Sequence, residues 1–295
     1  MAVYDRHYQA FEGKRATGWR RRMVIPRYAY EEAFASRRFL MMYAACFLQS
    51  LFTLLIIFLH NNLRALTMMS IDPSEFIRIT PAFFQAVTTA QCAFAFLLAL
   101  ILGPTLISSD LAHNALPLYL SRPIRRRDYM FGKVLVVFVL MSTVTWVAGL
   151  VLFGLEAAFA GPVWWQMYGY TAFAILFAGV GWSLLLSMLA VALSAWLKWK
   201  PVAAGALLAL FIIPTGFAAV VNELFGSTAG YLLSPTRCAQ ILSDALFRQP
   251  PDQYTNLLGV QDAPPAWAAM LSLFALIGFS LLLLQRRLHA YEVVT

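Results

Sequence analysis

This sequence predicts an all-α integral membrane fold with six spans, on three observations. The chain is 61% hydrophobic and only 12% charged, whereas soluble domains carry about a quarter charged residues. Its apolar residues gather into six runs, each long enough to cross roughly 30 Å of hydrocarbon with about 20 residues. Its cations cluster on alternate connections between those runs, the distribution that fixes topology in a membrane.

Residues 1–38 hold nine Lys or Arg and no apolar run of secretory-signal type, so an uncleaved cytoplasmic N-terminus is expected. Within it, Tyr30, Ala33, Phe34 and Arg37 recur at helical spacing with Glu31 and Glu32 between them. An amphipathic helix over 26–38, lying in the interface before the first span, follows. A plain solvated helix fits the same spacing.

The runs place spans at about 39–59, 82–107, 134–155, 171–197, 202–221 and 266–284. With the N-terminus inside, the inner segments carry eighteen cations and the outer ones four, namely Arg64, Arg78, Arg237 and Arg248. Both termini are therefore expected in the cytoplasm. The net charge of +8 raises nucleic acid as a partner, but cations beside apolar runs answer to topology rather than to a soluble basic face. Cys46 and Cys92 fall inside apolar runs and Cys238 stands alone in an outer segment, so no disulfide framework or metal pair follows.

Several spans carry uncharged polar residues. Gln49, Ser50 and Thr53 mark the first, Gln85, Thr88, Thr89 and Gln91 the second, Ser142, Thr143 and Thr145 the third, and Thr215 the fifth. Such residues usually bond to neighbouring helices or their own backbone. Gln49, Thr88, Gln91, Thr215 and Glu223 are the candidates for lining a path. Gly103 and Pro104 predict a kink near the inner end of the second span. Glu156 and Glu223, near outer span ends, are expected to be hydrated.

The most informative stretch is the polar island 110–133, DLAHNALPLYLSRPIRRRDYMFGK, with a net charge of +3 between two apolar runs. Asp110 can cap a short helix that Pro117 interrupts. Pro123 suits the first turn of a second helix, starting near Ser121 or Arg122 and running on into the third span. A basic juxtamembrane loop that only fixes topology is the plainer reading.

An acidic residue after a span, a short helix, Leu-Ser-Arg-Pro, then Arg-Arg-Asp-Tyr and a Gly-Lys pair resemble the cytoplasmic coupling loop of ABC-2-type transporter permeases. The matching residues are Asp110, Leu116, Leu120, Ser121, Arg122, Pro123, Arg126, Asp128, Tyr129, Gly132 and Lys133. His113 or Asn114 stands where family members often have glycine, and Arg125 where they often have serine. The resemblance implies an ABC-2, type V exporter-like, permease fold, with residues 1–38 as an N-terminal segment bearing an elbow helix and 39–295 as the transmembrane domain. It implies that Asp110, Leu116, Leu120, Arg122, Pro123, Arg126 and Asp128 couple to an ATPase. A second inner contact is implied at Lys198, Trp199, Lys200 and Pro201, which read equally well as a snorkelling basic turn.

The largest outer segment, 222–265, predicts a short amphipathic helix after Ser234-Pro235 that ends near Phe247, with Ile241, Leu242, Ala245 and Leu246 at helical spacing. Pro250, Pro251, Pro264 and Pro265 frame a turn-rich remainder. The resembled family also has an outer element between its last two spans.

Energy has no site in this chain. Gly13-Lys14 and Gly132-Lys133 lack both the preceding glycine and the following Ser or Thr of a phosphate-cradling loop. His7, His60, His113 and His289 are scattered, with no metal motif or carboxylate pair for acid–base work. The resemblance therefore implies a non-catalytic subunit in the cell's inner (cytoplasmic) membrane, paired with a second permease copy or a homologous permease. Two copies of a separate ABC ATPase would hold the ATP and Mg. An assembly platform for an envelope complex driven by the same kind of ATPase, and a secondary transporter, are the alternatives.

Overall fold

The computed structural model describes residues 18–62, 78–108, 110, 126–197, 199–250 and 263–289, and among them every regular element is helical. Helix α1, Gly18–Ala35, stops at Ser36, whose hydroxyl accepts from the Phe39 N–H at 3.5 Å and caps α2, Arg37–Asn61. The sequence joins 26–38 into one helix. A serine that satisfies the next helix's free amide ends it instead, and Arg37 belongs to the first span.

Helix α3 is Pro81–Leu106, with proline in its first turn where no amide is missed. Helix α4, Arg126–Ser142, passes through a π-helical turn, Thr143–Val147, into α5, Ala148–Ala160. Together they form one apolar rod of 34 residues from Arg127 to Ala160. At 1.5 Å per residue that is about 51 Å, well beyond the hydrocarbon thickness. The sequence starts the apolar run at 134 and expects a helix running into it without a break, and α4 does so through Arg127 to Lys133. Gly161, at φ 86°, ends the rod, and Pro162 opens the short α6, Pro162–Tyr168.

Helix α7 is Tyr170–Trp196 and α8 is Lys200–Phe225. A 3-10 turn at Ala229–Leu233 leads to α9, Pro235–Phe247, capped by Ser234 as its sequence predicts. Arg248 stops α9 in the left-handed region at φ 55°. The last helix, α10, is Ala266–His289. Six helical segments, α2, α3, α4–α5, α7, α8 and α10, have the length and apolarity to cross a membrane.

Helix α7 is the hub. Over half of its most apolar window is buried (56%), against 17% for α2, α8 and α10. It packs against α3, α4, α8, α9 and α10. Small residues permit this, because without water to drive burial, spans gain by close backbone approach. A Cβ on Gly103 of α3 would lie 2.6 Å from the Ala190 Cβ, and one on Gly179 would lie 2.6 Å from the Trp146 Cβ. Gly103 thus serves a contact, and α3 continues past it to Leu106.

Antiparallel threading gives the bundle two ends. One, the island end, gathers α1, the C-terminus of α3 and the N-terminus of α4. The far end gathers α6, the 3-10 turn and α9. Helix α1 turns one face, Ile25, Ala29 and Ala33, into the core against α4, where a Cβ on Gly132 would meet Ile25 and Pro26 at 3.2 Å. Burial also pushes the Tyr30 hydroxyl up to about 12, with a smaller contribution from neighbouring Tyr43.

Candidate functional site

The island is anchored at its two ends. Asp110, just beyond α3, and Lys133, two turns into α4, form an ion pair with Nζ to Oδ2 at 2.9 Å; the two side chains are only 14% and 7% exposed. Tyr129 lies one helical turn before Lys133, on the same face. Its hydroxyl donates to the same Asp110 oxygen at 2.6 Å, while the Lys133 ammonium stands 5.7 Å from its ring centroid. Burying two charges costs several kcal/mol unless pairing and further hydrogen bonds compensate. Here the tyrosine supplies both a hydrogen bond and an aromatic face. At this end α3 cannot shift against α4 without breaking the contact.

Neighbouring contacts extend the anchor. The N–H groups of Ile107 and Ser108 donate to the Ser194 hydroxyl of α7 at 3.0 and 2.9 Å. Trp196 Nε1 donates to the Leu283 carbonyl of α10 at 3.1 Å, and the Arg287 guanidinium lies 5.4 Å from the Trp196 ring centroid. Asp128 is 7% exposed on the first turn of α4, where an acid complements the helix dipole. The ends of α3, α4, α7 and α10, with α1 against Gly132, form one connected block.

Of the predicted coupling residues, Asp110 and Asp128 are in this block, and Arg126 opens α4. Leu116, Leu120, Arg122 and Pro123 lie outside the described residues, as does the expected helix start near Ser121 or Arg122. Lys133 and Tyr129 belong to the site; the sequence names both in the loop motif but not among the residues expected to couple to an ATPase. Their spacing of four, with the acid across the island, was the available signal.

The candidate path residues separate. Gln91 of α3 is fully buried and donates to Ser50 of α2 at 3.4 Å, while Gln49 donates to Thr53 one turn along α2 at 3.2 Å. These form a polar seam between the first two spans, with the side-chain carbonyl oxygens of Gln49 and Gln91 buried and without hydrogen-bond partners. Tyr43 meets Thr143 at 2.7 Å and Thr145 meets Ser183 at 3.0 Å, carrying polar contacts through the π-turn to α7. A π-turn is a local departure from the helical ladder that recurs at functional sites. Thr88 donates to its own helix at the Phe84 carbonyl. On α8, Thr215 pairs with the Ser234 hydroxyl at 2.6 Å and Glu223 is exposed.

Glu156 is a correction. The sequence has it hydrated at a span end, yet it is 1% exposed and accepts from Asn61 Nδ2 at 2.8 Å. The cause is the length of the third span: α5 runs on to Ala160 and seats Glu156 against the last turn of α2. The far end is also tied by Gln85 donating to Asp244 and by the Arg248 guanidinium 4.3 Å from the Tyr170 ring centroid.

The profile of the family described as ABC-2 family transporter protein matches residues 32–287, spanning all six candidate membrane helices and the island. A search of curated proteins returns no match.

Proposed function

Because the chain belongs to the ABC-2 family of transporter membrane proteins, we propose that it is the permease subunit of an ATP-driven exporter. In this reading the island end faces the cytoplasm with both termini, and the membrane is the cell's inner membrane. Two copies of a separate ABC ATPase bind ATP and Mg and grip the islands of two permeases. ATP-driven approach of the ATPases pushes each island, and the spans alternate their access.

The observation that carries this is the Asp110–Lys133–Tyr129 anchor. A force applied between Asp110 and Lys133 enters α3 and α4 together, because their ends are joined by a buried ion pair. It then reaches α7 through Ser194 and α1 through Gly132. A loop that only fixed topology would need its cations, but no such buried brace. The apolar spans favour no cargo over another, since lipid demands the same composition.

The test replaces Pro123 and Arg126 in the complex of permease and ATPase reconstituted in lipid. Membrane insertion stays intact while hydrolysis loses its dependence on the permease. Unchanged permease-dependent hydrolysis in those variants would remove the lever role from the island.

A further inference from the structure

The third span is held at both ends and weakest between them. Near the island, Lys133 and Tyr129 fix it to Asp110, and at the far end Glu156 fixes it to Asn61 of α2. The π-turn Thr143–Val147 lies between these anchors, where backbone hydrogen bonds reach five residues instead of four. Two hydroxyls support the turn, Thr143 donating to the Leu140 carbonyl at 2.8 Å and Thr145 to the Met141 carbonyl at 2.9 Å. Such back-bonds let a helix in lipid tolerate an interrupted ladder, and they bend helices. At the turn, the Ser142 hydroxyl and the Trp146 indole N–H are buried without hydrogen-bond partners, so the present geometry leaves polar groups idle.

Each threonine is also gripped from outside. Because both donate to their own helix, Tyr43 of α2 donates to Thr143 at 2.7 Å and Ser183 of α7 donates to Thr145 at 3.0 Å. Residues two apart point to nearly opposite sides of a helix, so α2 and α7 hold the turn between them. The two jaws are unequal. Helix α7 is the buried hub, and a Cβ on Gly179 would come within 2.6 Å of the Trp146 Cβ, which fixes that side closely. Helix α2 is a lightly buried outer helix, and Tyr43 is placed by an aromatic cluster. Its ring stacks on Phe39 at 5.6 Å between centroids and meets Phe34 of α1 edge-on at 5.7 Å. Helix α1 packs in turn on α4 beside Gly132. Contacts therefore run from the island end, through α1 and Tyr43, back to the middle of the third span.

We infer that the π-turn is a hinge between α4 and α5, and that Tyr43 is the latch that sets its angle, positioned by α1 through Phe34 and Phe39. The hinge is a property of this chain alone and stands without an ATPase. Its use in carrying an island movement to the far end rests on the permease reading above.

The test uses the full chain in lipid nanodiscs with no ATPase present, so its outcome is separate from that of the permease reading. Nitroxide amino acids replace Phe131 of α4 and Val151 of α5, both exposed and about 30 Å apart along a straight rod. A second pair at Leu40 and Phe58 of α2, also exposed, is the control, and double electron–electron resonance reads both distances. Tyr43→Phe keeps the aromatic cluster and removes one hydroxyl. It raises the share of the shorter, bent distance about fivefold, the size of one hydrogen bond. Ser183→Ala acts in the same direction. Phe34→Ala leaves the hydroxyl pair chemically intact and raises the same share, while the α2 pair is unchanged in all three variants. An unchanged third-span distribution in Tyr43→Phe and Ser183→Ala overturns the hinge. Equal broadening of the α2 pair reduces the effect to general loosening and overturns it as well. No response to Phe34→Ala overturns the part assigned to α1.

Discussion

Removing either half of the buried pair at the island should be far more damaging than removing both. Asp110→Asn leaves the Lys133 ammonium without its carboxylate; Lys133→Met leaves the Asp110 carboxylate with the Tyr129 hydroxyl but without its cation. Both side chains are largely out of water, at 14% and 7% exposure. Solvent screening is therefore weak, and each single change should cost about 3 kcal/mol. The double variant Asp110→Asn, Lys133→Met removes both charges and keeps an acceptor for Tyr129, so its cost should lie within about 1–2 kcal/mol of the native chain. The cycle should therefore return a coupling energy of roughly 4–5 kcal/mol, measured as unfolding free energy in bicelles by steric trapping. The double variant should also keep its fold while transmitting nucleotide-driven motion poorly, because an apolar contact does not lock α3 to α4 in one register. If the two single effects add to give the double, the pair is not a brace and the force path through it fails.

Gly103→Ala forces its new methyl against Ala190, 2.6 Å away. It should destabilise by about 1–3 kcal/mol as an overpacked contact, and Ala190→Gly in the same chain should recover most of the loss. Burial pushes the Cys238 thiol upward, partly offset by the Ser272 hydroxyl, so little thiolate exists at neutral pH. Maleimide should leave Cys238 unlabelled in the folded chain at pH 7 and label it after denaturation, as peptide mass spectrometry would show. Glu156→Gln keeps an acceptor for Asn61 and should fold normally. Glu156→Leu removes the acceptor of one Asn61 amide N–H, leaving the amide with its bond to the Ile57 carbonyl, and should cost about 1–3 kcal/mol in the same unfolding assay.

Much of the architecture was legible because lipid imposes a simple rule. Runs of about 20 apolar residues must be helices, and the six spans appear within a few residues of their predicted positions except the third. The third span runs five residues past its expected outer end at 155, to Ala160. Hydropathy marks where lipid contact begins, whereas a helix continues until its backbone is stopped, here by Gly161. Glu156 lies in that extension, which is why its burial was hidden. Helix α9 was legible through its Ser-Pro start, which the Ser234 cap and Pro235 in the first turn explain. The polar seam of Gln49, Ser50 and Gln91 depends on the rotation of two helices about their axes, which spacing within either one does not determine.

The most direct test of the account is to tag this chain, extract it from its native membrane in mild detergent, and identify by mass spectrometry what co-purifies and in what ratio. A permease driven through its island should bring a soluble ATPase at about one copy per permease, and Pro123 and Arg126 substitutions should weaken that association. Recovery of the chain alone, or with envelope proteins and no ATPase, would contradict the ATP-driven exporter and leave the buried brace without a motor to transmit.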